Sequence, residues 1–182
     1  AVLEALPASV IMRPSILFGP EDDFFNRFAE IARLSPVVPV VGPDTRFQPV
    51  FVGDVAEAIA CAVEGQARAG TVYELGGPQV KTFRALLQLM LDEIDRPTTR
   101  IVAIPFGLAA LQARLMSVLP KPPLTTDQVR LLKSDNVVSA AAEANGRTFA
   151  GLGIAPDTLA SILPTYLWRF RPTGEFSRQQ HS

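Results

Sequence analysis

The chain has 182 residues, 48% of them hydrophobic, with 17 Lys and Arg against 18 Asp and Glu. That length and apolar content suffice for a buried core and exclude a disordered chain, and the near-neutral charge argues against a nucleic-acid partner. A single cysteine, Cys61, excludes an internal disulfide framework and a multi-cysteine metal site, and suits a reducing, cytoplasmic compartment.

Residues 1–9 show no Met start, basic region or apolar signal stretch, and a strand follows almost at once, so the chain reads as the later part of something larger. Residues 10–18 are apolar and β-rich with little polar alternation, the pattern of a strand buried on both faces of a parallel sheet, and Gly19-Pro20 closes it. Phe24, Phe28, Ile31 and Leu34 then recur at helical spacing, with Glu21, Asp22 and Asp23 at the helix start, where the dipole favours negative charge. These acids serve that dipole better than a metal, since no glycine-spaced loop accompanies them. Residues 36–41 and 48–52 are predicted as short strands around the Gly42-Pro43-Asp44 turn. Asp54 with Glu57 predicts a capping box for a helix that places Val55, Ile59, Ala62 and Val63 on one face, ended by Gly65. Residues 71–75 are a strand with a sharp exit at Gly76-Gly77-Pro78.

Beyond this point the pattern is helical. Thr82 is predicted to cap a helix whose Phe83, Leu86, Leu87, Met90, Leu91 and Ile94 form one stripe. Residues 100–104 read as a strand, and Pro105 opens an apolar helix through Leu119 that Pro120, Pro122 and Pro123 end. The segment 101–119 is too interrupted to span a bilayer, and it reads as a buried helix or as a docking surface toward a partner or membrane surface. Thr125 and Gln128 have capping-box spacing, residues 134–151 carry no clear period, and a last helix over 157–170 contains Pro164. Residues 173–182 read as a flexible tail. The order of elements is that of an α/β chain: the closing part of a parallel sheet with a smaller, mainly helical lobe.

No catalytic set is self-contained. The only histidine, His181, lies in the tail, and no Tyr-x-x-x-Lys pair or glycine-rich phosphate loop occurs, so neither catalytic nor metal-binding residues are assigned. The stretch from Arg13 to Pro20 is different, because ligands of open α/β sheets sit at the carboxyl ends of strands. Pro14 fixes the backbone there, leaving main-chain groups of Pro14, Ser15, Ile16 and Leu17 available to a carboxamide. An ordinary strand-to-helix turn is the alternative.

Arg13-Pro14-Ser15-Ile16-Leu17-Phe18-Gly19-Pro20, together with Phe51-Val52-Gly53-Asp54-Val55-Ala56 and Tyr73-Glu74-Leu75-Gly76-Gly77, resembles the later half of an extended or atypical short-chain dehydrogenase/reductase of the epimerase/dehydratase superfamily. Residues 19–29, 48–55 and 124–129 with Leu152-Gly153-Ile154 are similar to the nucleotide-binding accessory subunit family of respiratory complex I and its bacterial relatives. The resemblance implies the closing part of a Rossmann-like NAD- or NADP-binding domain over residues 1–77, with 22–50 contributing to a cleft lobe, and a small helical lobe over 78–172. The amino-terminal half of that fold, with any catalytic Tyr and Lys, is expected before Ala1, so this chain alone is expected to bind cofactor weakly or not at all. Carried over by position, Pro14, Ser15, Ile16 and Leu17 border the nicotinamide, and Phe25, Asn26 and Gln48 line the adjacent cleft. The resemblance further implies a cofactor held for structure, complex I subunits as partners, and a place peripheral to the inner membrane. An active NAD(P)-dependent epimerase, dehydratase or reductase is the alternative.

Overall fold

The computed structural model describes residues 2–116, 126–172 and 174. In chain order the elements are α1 (Val2–Ala5), β1 (Ile11–Pro14), β2 (Leu17–Phe18), α2 (Phe25–Leu34), β3 (Val37–Val41), β4 (Arg46–Phe47), β5 (Val50–Phe51) and α3 (Val52–Val63). They continue with β6 (Val72–Leu75), β7 (Lys81–Thr82), α4 (Phe83–Glu93), β8 (Arg100–Ile104), α5 (Phe106–Met116), α6 (Thr126–Leu131), α7 (Ala140–Ala144) and α8 (Leu159–Leu167). Short 3-10 turns cover Phe149–Leu152 and Trp168–Phe170. The chain divides into two compact units. The first comprises Ala1–Phe24, Gln48–Val80 and Asn136–Tyr166, and the second Phe25–Phe47, Lys81–Asp135 and Leu167–Ser182.

In the first unit β1 runs parallel to β6, with Ile11 opposite Val72 and Pro14 opposite Leu75, and β2 runs parallel to β5. The strand expected over 10–18 is therefore two strands. Ser15 N still donates to Leu75 O at 2.9 Å, and Val50 N donates to Ile16 O at 2.9 Å, so the chain changes neighbour between Ser15 and Ile16. Nor is it buried on both faces: Arg13, Pro14 and Leu17 are exposed. The core gathers Val50, Val55, Ala58, Tyr73 and Leu75 with Phe149 and Ile154. The last two come from residues expected in the helical lobe, and long-range hydrogen bonds hold their segment here: Arg68 Nη2 donates to Asn145 O at 2.5 Å and Asp157 N to Asp54 Oδ2 at 2.9 Å.

That last bond accounts for the departure of Asp54 from its expected role as the cap of α3. Its N-cap is Phe51, without a side-chain cap, and Asp54 is not a capping residue but a buried group in the first turn that accepts from Asp157. Val55 and Ala58 reach the core, whereas Ile59 and Val63 are 49% and 83% exposed, so the expected four-residue face is buried only in part. Gly65 follows the C-cap residue Glu64 at φ 79°, the left-handed conformation that glycine adopts without strain.

In the second unit β3 pairs in parallel with β8 over their full lengths, and β4 pairs antiparallel with β7. Helix α4 begins as its sequence dictates: Thr82 Oγ1 accepts from Ala85 N at 3.2 Å, and Phe83, Leu86, Leu87, Met90 and Leu91 are buried. Phe83 meets Phe28 and Phe47 edge-on at 5.4 and 5.6 Å between ring centroids, the arrangement that aromatic quadrupoles favour. The buried Arg171 closes the far end of α4, its Nε donating to Glu93 O at 2.7 Å and its Nη2 to Glu93 Oε1. Helix α5 starts after Pro105 as expected and presents Leu108 and Leu111 at 60% and 55% exposure. Its expected continuation to Leu119, the prolines after it, the Thr125 cap and the tail, Gly174 excepted, lie outside the described residues. Among the described residues no helix is long and apolar enough to cross a membrane.

Candidate functional site

The loop that follows β1 stands at the carboxyl end of a parallel strand, and its geometry is set by a small hydrogen-bond network in the first unit. Ser15 Oγ donates to Asn136 O at 2.8 Å and accepts from Gln48 N at 3.3 Å, while Gln48 N also reaches Asn136 O at 3.1 Å. The Gln48 side chain uses both ends of its amide. Its Oε1 accepts from Val138 N at 2.9 Å and its Nε2 donates to Gly77 O at 2.8 Å. Gly76 and Gly77 are thus places of close approach, not a phosphate loop. A Cβ on Gly76 would stand 2.5 Å from Gln48 Cδ, and one on Gly77 would collide with Pro49 O.

Ser15 and Gln48 are brought together, but with each other's polar groups as partners. What the loop leaves available is main chain. Ile16 N–H has no partner among the described residues. Strand alternation turns the Pro14 carbonyl away from β6 and the Leu17 N–H away from β5. Pro14 is exposed and Leu17 is 41% exposed. A carbonyl acceptor and N–H donors are the kinds of group with which a primary carboxamide pairs. Phe25 and Asn26 belong to the second unit, where Phe25 is wholly buried and Asn26 Oδ1 accepts from Arg169 Nη2 at 2.8 Å.

Two carboxylates frame the segment that carries Asn136 and Val138. Glu74 Oε2 accepts from Ser139 N at 2.8 Å, and that backbone bond is the main reason its carboxyl titrates below the ordinary range. Asp54 shifts the other way: burial raises its pKa against the lowering effect of the Asp157 N–H, and the Asp157 and Glu57 charges add to the rise. Neither tyrosine is poised for proton transfer. Tyr73, 1% exposed, accepts from Arg68 N at 3.0 Å, and Tyr166, 4% exposed, donates to Asp22 Oδ2 at 2.6 Å. Among the described residues no cluster of His, Cys, Asp or Glu is arranged to hold a metal ion. Sequence reasoning missed Asn136, which acts through its carbonyl, a group every residue has. The Gly76-Gly77 pair was the one signal that a backbone must pass close by.

No family model matches the chain. In sequence it is 35% identical over 185 residues to NADH dehydrogenase (ubiquinone) 1 alpha subcomplex subunit 9, mitochondrial, of Arabidopsis thaliana, covering 96% of this chain and 45% of that protein. The protein of the same name from Rattus norvegicus is 34% identical over 168 residues, covering 88% of this chain and 42% of that one. The chain thus spans less than half the length of these relatives, and both are mitochondrial proteins of eukaryotes, which lends no support to a bacterial assignment of the chain. In fold it matches the dTDP-glucose 4,6-dehydratase of Bacillus anthracis solved with NAD, at TM-score 0.62 and 13% identity over 91% of this chain and 45% of that one. The dTDP-glucose 4,6-dehydratase of Streptomyces venezuelae, also solved with NAD, matches at TM-score 0.61 and 17% identity over 93% of this chain and 46% of that one. The chain is a homologue of part of the complex I alpha subcomplex subunit 9 proteins, and its fold matches part of the Rossmann-like fold of these dehydratases.

Proposed function

We propose that this chain is the nicotinamide-facing part of an NAD- or NADP-binding protein that associates with respiratory complex I, where the cofactor is held to stabilise the fold and its assembly. The observation that carries the reading is the loop from Pro14 to Leu17, whose free main-chain groups lie at the carboxyl end of a parallel strand in a chain homologous to a complex I subunit. The cofactor supplies bound surface and charge here. Pro14, Ile16 and Leu17 orient its carboxamide, while Ser15 and Gln48 hold the loop still. The protein is placed at the periphery of the membrane complex, consistent with relatives named as mitochondrial.

The test is to isolate the native protein without denaturation, extract it with acid and identify nicotinamide nucleotides by mass spectrometry. Near-equimolar NAD or NADP in a fraction that co-migrates with complex I is the expected result. Nucleotide-free protein would overturn the reading. A second reading, an active NAD-dependent dehydratase or epimerase, draws on the fold match to two dehydratases. It requires an acid–base pair from outside this chain, since both of its tyrosines are buried and hydrogen-bonded, and it is tested by hydride transfer from a nucleoside-diphosphate sugar.

A further inference from the structure

The sheet formed by β3 and β8 in the second unit has two unlike edges. Arg100 N donates to Pro36 O at 2.9 Å, and with the parallel register this turns the main-chain groups of Arg100, Val102 and Ile104 toward β3. Alternation along a strand then turns those of Ile101 and Ala103 to the opposite edge, where β8 has no neighbour among the described strands. On β3 the same alternation places the nitrogen of Pro39 on the outer edge, interrupting its donor row as protected edges do. The β8 edge has no such device. Its middle residue, Val102, is 46% exposed, and its only charge is Arg100.

The geometry points to β8 as a pairing edge for a second copy of this chain. In an antiparallel pair with its two-fold axis at Val102, Ile101 of each copy faces Ala103 of the other. These are the residues whose N–H and C=O groups point outward, and each such pair exchanges two hydrogen bonds. Arg100 falls opposite Ile104, so no like charges meet. Pro105, the next outward position, has no N–H and ends the row. The strand is therefore complementary to itself in hydrogen bonding and brings no like charges together, which favours a second copy as its partner. Pro39 guards the other edge, so pairing closes at a dimer and does not grow into a fibre.

Sedimentation equilibrium of the full-length protein over a wide concentration range tests this, alongside V102K, V102E and their equimolar mixture, with circular dichroism to confirm folding. Val102 is exposed enough for either charge to be solvated in the monomer. The wild type is expected to dimerise, each variant alone to dissociate at least roughly tenfold more readily, and the mixture to recover association as Lys meets Glu across the axis. A wild type that stays monomeric throughout would overturn the proposal. So would dimerisation indifferent to V102K, or a mixture no more associated than its separate components.

Discussion

Replacing Gln48 with Ala removes both amide ends that hold the loop network together. Val138 N loses its acceptor at 2.9 Å and Gly77 O its donor at 2.8 Å. Gly77 is buried and Val138 half-buried, so water replaces neither bond in full. Leaving a buried polar group unpaired costs about 1–3 kcal/mol; for two such groups, one partly wetted, the expected loss is about 2–4 kcal/mol. In a chain of this length 1 kcal/mol moves the melting temperature by about 2–4 °C, which puts the fall at roughly 5–15 °C. Gln48→Glu separates the two ends, since the carboxylate keeps the acceptor for Val138 N but turns an oxygen toward Gly77 O, and it is expected to destabilise nearly as much as Gln48→Ala. Gln48→Met keeps volume and loses both bonds, and should match Ala. Urea denaturation followed by circular dichroism measures all three. If Ala and Met both lie within about 0.5 kcal/mol of wild type, the range of ordinary surface substitutions, the network does not hold the loop and the reasoning fails.

Three other outcomes follow from the same structure. Because burial raises the pKa of Asp54, its contribution to stability is fully present below the unfolded carboxyl value, about 3.9, and is lost as pH rises through the folded value. Asp54→Asn keeps an acceptor for Asp157 N, so it should leave stability at neutral pH equal or higher and remove this contribution from the pH profile. Glu74 behaves oppositely: its carboxyl is lowered mainly by the Ser139 N–H, so its stabilisation is present above the unfolded value of about 4.3 and is lost as pH falls through the folded one. Glu74→Gln should flatten the acid limb in thermal melts between pH 3 and pH 6. Arg171→Met removes a guanidinium only 5% exposed together with its bonds to the carbonyl and carboxylate of Glu93. A loss of about 3 kcal/mol in chemical denaturation is expected, and a neutral result would show that the pair only breaks even.

How far the chain could be read depended on whether structure was set by neighbours in sequence or by distant groups. Helix α4 was legible because a capping threonine and an unbroken apolar stripe are local signals, and β8 because five β-prone residues lie between clear breaks. Residues 134–151 were not legible. Helix α7 has five residues, too few for a period to emerge, and its segment is positioned by Glu74, Gln48 and Arg68 far away in the chain. Asp54 shows the same competition in one side chain: its spacing to Glu57 is that of a capping box, and a tertiary donor, Asp157 N, takes the carboxylate instead. In the candidate site, Ser15 and Gln48 were named, yet their side chains are taken up by backbone groups of Asn136, Val138 and Gly77, and the groups left for a ligand are backbone atoms that carry no sequence signature.

Residues 14–17 are proposed to face a bound nicotinamide. A photoreactive nicotinamide dinucleotide, loaded into the native protein and irradiated, tests it most directly when the labelled peptide is mapped by mass spectrometry. The account predicts label on the peptide that contains Pro14 to Leu17, suppressed by excess unmodified NAD or NADP. Saturable labelling that falls elsewhere and spares that peptide would contradict it.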